Sequence, residues 1–196
     1  MLLSICIPSY NRLDCLDNCL NSILISSKQV NDFDFEVCIS DNFSDQDPME
    51  IIKKYNNQLK ITFNKNKKNL GFALNAIKSV EISTAKYVWM IGNDDLILPN
   101  TLRDLKDIFK KKIDTDYFFI NSYYLNSKYL QNFSHPFDTR QLKNIKMNKL
   151  SKFNRSQIVD FWEIIDPKVS WEFLIGIFLS LFKSTMRLYV LKFVKP

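Results

Sequence analysis

Two adjacent carboxylates, Asp94 and Asp95, follow a short apolar run over residues 88–91. The run has the length and composition of a fully buried β-strand, and Gly92 with Asn93 ends it. Open α/β sheets place their ligands at the carboxyl ends of such strands. Taken alone, the pair is compatible with a solvated acidic turn or with a metal or phosphate site, and the neighbouring strands favour the site.

Polar segments follow two other predicted strands, over residues 8–12 and 41–45. In a parallel sheet these ends and the acidic pair lie at one edge and can line a single cleft. Tyr10 offers a flat ring on which a base can stack, and Asp41 offers an acceptor for an imide or amine N–H. Asp95 is a hard oxygen ligand of the kind that Mg²⁺ or Mn²⁺ needs when it also holds a diphosphate.

The elements that must position these residues alternate between strand and helix patterns through the first 125 residues. This alternation predicts an α/β fold with a mostly parallel sheet flanked by helices. Strands are expected over 2–7, 35–40, 59–63, the run that ends at Gly92, and 117–125. Amphipathic helices are expected to begin near residues 13, 48, 73 and 100.

We expect a core domain over 1–125 and a second segment over 126–196. Residues 126–155 are polar and weakly patterned, and the lone His135 among them is expected to be a loop residue. An apolar run over 173–182 is interrupted by Lys183, short of the roughly 20 residues that span a bilayer. A core helix or strand is the first interpretation of this run, and a membrane-surface helix is the second.

Composition excludes several classes of protein. The chain has 196 residues, of which 46% are hydrophobic, so it is long and apolar enough for a packed core. Its three glycines exclude a Gly-rich phosphate loop. The four cysteines have no zinc-type spacing, and we expect free thiols in a reducing compartment. A net charge of +6 suits nucleic acid, anionic lipid or a phosphorylated substrate.

Four motifs together resemble those of the family 2 glycosyltransferases, which have the GT-A nucleotide-sugar-binding fold. They are SICIPSYNR (4–12), VCISDNFSD (37–45), NLGFALN (69–75) and YVWMIGNDDLILP (87–99). Each motif is short, but their order and spacing are specific and cover about the first 100 residues. The family's D-x-D position begins here with Asn93, which removes one charge and leaves Asp94 and Asp95.

The resemblance implies a Rossmann-like half that holds the nucleotide of a sugar donor, with UDP favoured. The implied nucleotide-binding residues are Pro8, Tyr10, Asn11, Arg12, Asp41, Asn69, Gly71, Asn75 and Asp94. Tyr10 and Asp41 would contact the base, and Asp94 the ribose or diphosphate. Asp95, with Asn93 beside it, would bind Mg²⁺ or Mn²⁺. Gly71 would allow the backbone to approach the nucleotide closely.

The implied reaction moves a sugar to an acceptor hydroxyl with inversion, and it requires a general base. Asp166 and Glu172 are the candidates, with Asp160 and Glu163 nearby, and none of them lies in a matching motif. The resemblance suggests a bacterial enzyme of surface polysaccharide or lipooligosaccharide synthesis, acting on a glycan or glycolipid acceptor. No signal peptide opens the chain, so we expect a cytoplasmic location, with contact to the inner membrane surface as an option.

Two alternatives stay open at this stage. One is a truncated member of the family that binds nucleotide and catalyses nothing. The other is a basic nucleic-acid-binding protein, which predicts a basic stripe interleaved with exposed aromatic residues. The phenylalanines and tyrosines of this chain lie mostly in strand patterns, so no nucleic-acid partner is expected.

Overall fold

The computed structural model describes residues 1–111, 120, 122–145 and 147–149. Strands and helices alternate along the chain, as the sequence pattern predicts. They are β1 (Leu3–Ser9), α1 (Leu13–Ser27), β2 (Phe35–Asp41), α2 (Met49–Asn56), β3 (Ile61–Lys65), α3 (Gly71–Glu81), β4 (Tyr87–Met90), α4 (Thr101–Lys110), β5 (Tyr123–Tyr124), α5 (Ser127–Leu130), a 3-10 helix (Thr139–Asn144) and β6 (Asn148–Lys149).

Four strands form one sheet in the order β3-β2-β1-β4, and each neighbouring pair is parallel. All seven residues of β1 are buried, as expected where helices cover both faces of a parallel sheet. Ser9 pairs with Asp41, and Asp41 pairs in turn with Lys65. Three strands therefore end in register at one edge, which confirms the α/β class.

Buried serines on α1 explain how the chain enters α4. The first N–H groups of a helix have no partner within it. The Leu102 N–H donates to Ser26 Oγ at 3.0 Å, and the Ile97 N–H donates to Ser22 Oγ at 3.1 Å. Because both hydroxyls are fully buried, they satisfy backbone groups that water cannot reach. This connection fixes the chain that follows the acidic pair against α1.

The bounds of several strands differ from the predictions by one or two residues, most clearly those of β1 and β3. β1 continues to Ser9, because Pro8 and Ser9 still pair with β2. β3 begins at Ile61 and ends at Lys65, because the Leu59 N–H is still bonded to Tyr55 O of the preceding helix. The apolar pattern does not distinguish a buried helix end from a strand start.

The chain divides into two compact units, one of residues 1–114 with 126–146 and one of 115–125 with 147–196. In the first unit, Phe137 is almost completely buried against α1: its N–H donates to Asn18 Oδ1 at 2.6 Å, and Asn21 Nδ2 donates to its carbonyl at 2.9 Å. The described part of the second unit contains the antiparallel pair β5–β6. The rest of the expected strand over 117–125 lies largely outside the described residues, and the domain boundary at 125 stays a prediction.

Candidate functional site

Loops from β1, β2 and β4 are hydrogen-bonded to one another at the carboxyl edge of the sheet. The Asn42 N–H donates to the Ser9 carbonyl at 2.8 Å. Asn93 Nδ2 donates to the Ser9 hydroxyl at 3.2 Å, and both side chains are buried. Pro8 is buried within β1 opposite Ser40. The end of β1 is therefore the centre to which the other two loops are attached.

Asn11 joins the first loop to the second. Its amide group forms a reciprocal pair with Asp45, in which Asn11 Nδ2 donates to Asp45 Oδ2 and the Asp45 N–H donates to Asn11 Oδ1, both at 2.9 Å. The Asn11 N–H also donates to Ser44 Oγ at 2.9 Å. Asn11 has φ 49°, a left-handed conformation that asparagine tolerates. The loop over residues 10–12 is thereby held against the loop after β2, with the Tyr10 ring exposed beside it.

Asp41 is fully buried, and both of its carboxylate oxygens accept hydrogen bonds from Ser44. The Ser44 N–H donates at 3.0 Å and the Ser44 hydroxyl at 2.5 Å. A carboxylate that bonds its own backbone a few residues on is a standard way to fix a tight turn. In this structure Asp41 holds the turn over residues 41–44, and its predicted contact with a base stays a prediction.

Asparagine side chains fasten α3 beneath the same edge. Asn75 is buried, and its Nδ2 donates to the carbonyls of Ser9 at 3.3 Å and Ser40 at 3.1 Å. Its Oδ1 accepts from Ser40 Oγ and from Asn66 Nδ2, both at 2.8 Å. Every polar atom of the Asn75 side chain is therefore bonded within the protein, which gives this residue a supporting place under the edge.

Asn42 and Asn69 shape the entry to α3. Asn42 Nδ2 donates to Asn69 Oδ1, Asn42 Oδ1 accepts from the Leu70 N–H, and Asn69 Oδ1 also accepts from the Gly71 N–H, each at 2.8 Å. Gly71 has φ 78°, and a Cβ there would meet no atom within 4 Å. Glycine is needed at this position for its backbone conformation.

The acidic pair has two different environments. Asp94 is half exposed and forms an ion pair with Arg12, with 2.7 Å between Arg12 Nη1 and Asp94 Oδ2. Asp95 Oδ2 accepts the Gly92 N–H at 2.7 Å. Burial raises the pKa of Asp95, the hydrogen bond from Gly92 opposes this, and the negative charge of Asp94 raises the pKa further. The ionised form of Asp95 is therefore short of compensating positive charge.

The residues at the acidic pair fit a divalent cation that also binds phosphate. A Cβ built on Gly92 would meet Asp94 Oδ1 at 2.6 Å and Asp95 Oδ2 at 3.2 Å, so both carboxylates lie over the same glycine. Within the described part of the chain, no cluster of three or more His, Cys, Asp or Glu residues is arranged to hold a metal. Two carboxylates with substrate phosphates and water are the usual partners of Mg²⁺, so a third protein carboxylate is not required.

Sequence reasoning assigned no individual role to several residues that build this edge. Asn42, Ser44, Asp45 and Asn66 all form hydrogen bonds between segments that are far apart in the chain. The sequence signal for these contacts was the clustering of Asn, Ser and Asp residues directly after strands, where such side chains fix turns. Asp166 and Glu172, the candidate bases, lie outside the described residues, as do Asp160 and Glu163.

A parallel α/β sheet with amide and carboxylate side chains at its carboxyl edge defines a class of ligand-binding domain. The model of glycosyl transferase family 2 matches residues 4–164 of the chain, so the chain belongs to this family. The fold is of the GT-A type, similar to a crystal structure of S. aureus TarS. That structure has a TM-score of 0.51 and 25% identity, and the likeness covers 57% of this chain and 33% of that one.

Two curated relatives illustrate the range of similarity. The chain is 35% identical to abequosyltransferase RfbV of Salmonella typhimurium over 116 residues, which are 58% of this chain and 34% of RfbV. It is 29% identical to an uncharacterised glycosyltransferase of Methanocaldococcus jannaschii over 188 residues, which are 82% of this chain and 63% of the relative. The chain thus spans about a third of the length of RfbV.

Proposed function

We propose that the chain binds a nucleoside diphosphate sugar at the carboxyl edge of its sheet, for transfer of the sugar to an acceptor hydroxyl with inversion. The observation that carries the proposal is the meeting of Arg12, Asp94 and Asp95 at that edge, in a member of glycosyl transferase family 2. UDP is the favoured nucleotide, because similar structures of TarS, with a TM-score of 0.50, hold UDP and UDP-GlcNAc.

The base is proposed to bind between the first two loops. The Tyr10 side chain is 43% exposed and presents a flat apolar surface for stacking. Asp41 supplies an acceptor for an imide N–H, since each carboxylate oxygen can accept two hydrogen bonds. Because Asp41 is fully buried by its turn, this contact requires the Ser44 hydroxyl to turn away from Asp41 Oδ1 when the nucleotide binds.

Arg12 and Asp94 are proposed to exchange partners when the diphosphate binds. Their ion pair is more than half exposed on both sides, so little free energy is lost when water or a ligand separates the two groups. The planar guanidinium can then form two parallel hydrogen bonds to phosphate oxygens. Asn69 and Gly71 are proposed to flank the nucleotide from the start of α3.

Asp95 and Asp94, with Asn93 beside them, are proposed to hold Mg²⁺ or Mn²⁺. A divalent cation supplies positive charge that stabilises the leaving diphosphate. The chain's own contribution is to gather two carboxylates over Gly92. The raised pKa of Asp95 favours this role, since a cation compensates the charge that the fold leaves poorly compensated.

A general base must take the proton of the acceptor hydroxyl. Asp166 and Glu172 are proposed for this role, and a glycan or glycolipid is proposed as acceptor.

No helix among the described residues is long and apolar enough to cross a bilayer. The cytoplasmic location and the contact with the inner membrane surface stay predictions.

Calorimetric titration with UDP, GDP, CDP and dTDP, each with and without Mn²⁺, tests the proposal. We expect Mn²⁺-dependent binding of one nucleotide, UDP first. The variant Asp95→Ala should lose the Mn²⁺ dependence, whereas Asp107→Ala, at an exposed aspartate of α4, should bind like the unmodified chain. The variant Asp41→Ala should weaken discrimination among the four nucleotides.

Two results would contradict parts of the proposal. Binding of no nucleotide would remove the donor site. Unchanged Mn²⁺ dependence in Asp95→Ala would remove the metal site alone. If a nucleotide binds and no sugar is transferred to any acceptor, the chain is the non-catalytic nucleotide-binding member of the family that the sequence left open.

A further inference from the structure

Phe43 has a backbone conformation that its side chain disfavours. It lies in the turn after β2 with φ 67°. Three non-glycine residues of the described part of the chain have positive φ, and the other two are Asn11 and Asp32. Asparagine and aspartate tolerate this conformation, whereas a bulky residue there is a genuine outlier that costs free energy.

The fold fixes this turn from both sides. Ser44, which follows Phe43, bonds both oxygens of Asp41 and accepts the Asn11 N–H. Asn42, which precedes it, is buried and bonded to Asn69 at the entry to α3. The left-handed conformation is therefore imposed by a network of buried side chains.

Burial of the ring does not repay the strain. The Phe43 side chain is 52% exposed, so much of its apolar surface stays in water. Glycine would adopt the same φ without steric cost. The backbone conformation costs free energy while half of the ring stays in water, and strained residues of this kind occur mainly where a ligand binds.

We infer that Phe43 contacts the nucleobase of the donor nucleotide, as a second aromatic residue beside Tyr10; the inference rests on the proposed function. Tyr10 directly precedes Asn11, and the Asn11 N–H is bonded to Ser44, directly after Phe43. The two residues are thus next in the chain to one interloop hydrogen bond, and both side chains are exposed. A planar, largely apolar base is the part of a nucleotide that such rings bind, because stacking requires only a π-face.

The test separates the base from the diphosphate. UDP and inorganic pyrophosphate are titrated, both with Mn²⁺, into the unmodified chain and the variants Phe43→Gly and Phe43→Tyr. Phe43→Gly should bind UDP at least about fivefold more weakly, the lower end for loss of one base–aromatic stack. Its affinity for pyrophosphate should not change. Phe43→Tyr should keep most of the UDP affinity, because it keeps the ring.

Thermal unfolding supplies the matched control. The melting temperature of Phe43→Gly should not fall, because glycine adopts this φ without strain, so weaker UDP binding would not reflect unfolding. The variant Asp32→Gly places glycine at another positive-φ position, in the exposed turn before β2, and its UDP affinity should not change.

Each other outcome overturns a defined statement. If Phe43→Gly binds UDP as tightly as the unmodified chain, the inference is wrong and the proposed function stands. If UDP and pyrophosphate affinities fall equally, Phe43 positions the loop and does not contact the base. If the unmodified chain binds pyrophosphate and no nucleotide, or neither probe, the nucleotide site fails together with the inference.

Discussion

Asp17 is a buried carboxylate of α1 and Asp95 is an exposed one at the carboxyl edge of the sheet, and their pKa values shift in opposite directions. Burial tends to raise the pKa of Asp17, but hydrogen bonds from Tyr55 and Lys54 and the nearby charges outweigh it, so the pKa lies below its usual value. Burial also tends to raise the pKa of Asp95. The hydrogen bond from the Gly92 N–H lowers this pKa and the negative charge of Asp94 raises it, so the pKa lies above its usual value. Asp17 accepts hydrogen bonds from several side chains, whereas Asp95 accepts one from the Gly92 N–H.

The donors to Asp17 come from separate parts of the first unit. Lys54 Nζ lies 2.9 Å from each oxygen of Asp17, the Tyr55 hydroxyl donates to Oδ1, and His135 Nε2 lies 3.0 Å from Oδ2. The cluster joins α2 and the segment 126–145 to α1. A carboxylate satisfied in this way stabilises the fold and has little left to offer a ligand.

The comparison teaches which carboxylate marks a site. At Asp17 the protein supplies the compensation itself, and a ligand would have to displace it. At Asp95 the compensation is incomplete until a cation binds, and the neighbouring Asp94 makes the ionised state less favourable still. A carboxylate that the fold leaves poorly compensated in a cleft is a candidate for function, whereas a fully compensated one is a structural element.

The largest effect is expected for Asp95→Asn, which keeps the shape of the side chain and removes its charge. Mn²⁺-dependent UDP affinity should fall on the order of 100-fold or more, since loss of a metal ligand costs several kcal/mol. The melting temperature should not fall, because the variant removes a poorly compensated charge. Calorimetry and thermal unfolding measure the two effects. A large loss of stability would place Asp95 with Asp17 and break the comparison.

The second variant, Asp17→Asn, should show the opposite pattern. It should lower the free energy of unfolding by about 2–3 kcal/mol, because charge-assisted hydrogen bonds are lost and the buried Tyr55 hydroxyl loses its strongest acceptor. UDP affinity should stay unchanged under conditions where the chain is folded. Urea unfolding gives the first quantity and calorimetry the second, with Asp107→Asn as the control. Weaker UDP binding by the folded variant would show that the cluster belongs to the site.

The sequence predicted the ligand edge better than the structural cluster, for a physical reason. Each strand end is marked locally by a change from apolar to polar residues, and the parallel sheet then brings the ends together by topology. That rule placed residues 8–12, 41–45 and 93–95 at one edge. Asp17 and His135 are 118 positions apart, and no local sequence pattern predicts their contact.

The asparagine contacts at the edge could not be predicted from the sequence, for a related reason. Asn42, Asn66, Asn69 and Asn75 were visible as polar residues near turns, but a side-chain amide can donate, accept or face water. Which of these it does depends on the backbone groups that tertiary packing brings near it. Asn75 bonds two strand-end carbonyls that belong to β1 and β2, and only the packed structure shows this.

The pH dependence of stability should sharpen the comparison with a smaller effect. The lowered pKa of Asp17 contributes stability that is present above its unfolded value near 3.8 and is lost as pH falls through the folded value. The raised pKa of Asp95 acts in the opposite sense, because its contribution is present below 3.8 and is lost as pH rises through the folded value. Urea unfolding of both asparagine variants between pH 3 and 7 measures the two slopes.

Relative to the unmodified chain, Asp17→Asn should lose less stability on acidification, and Asp95→Asn should lose less on passing from pH 4 upward. A change of pH alters only the charge of each carboxylate, so each pH-dependent change in the free energy of unfolding should be smaller than the full cost of Asp17→Asn. Parallel curves for the two variants would mean that the two carboxylates have the same environment.

The smallest effect on stability is expected for Arg12→Gln. The ion pair with Asp94 is more than half exposed on both sides, so its loss should change the free energy of unfolding by less than about 0.5 kcal/mol. UDP affinity should still fall roughly fivefold, because a charged donor to the diphosphate contributes at least about 1 kcal/mol. The control is Lys54→Gln, which removes a half-exposed cation from Asp17 and should weaken the fold while UDP affinity stays the same. If Arg12→Gln lowered stability and not UDP affinity, Arg12 would have the same role as Lys54, which is to stabilise the fold by pairing with a carboxylate of the protein.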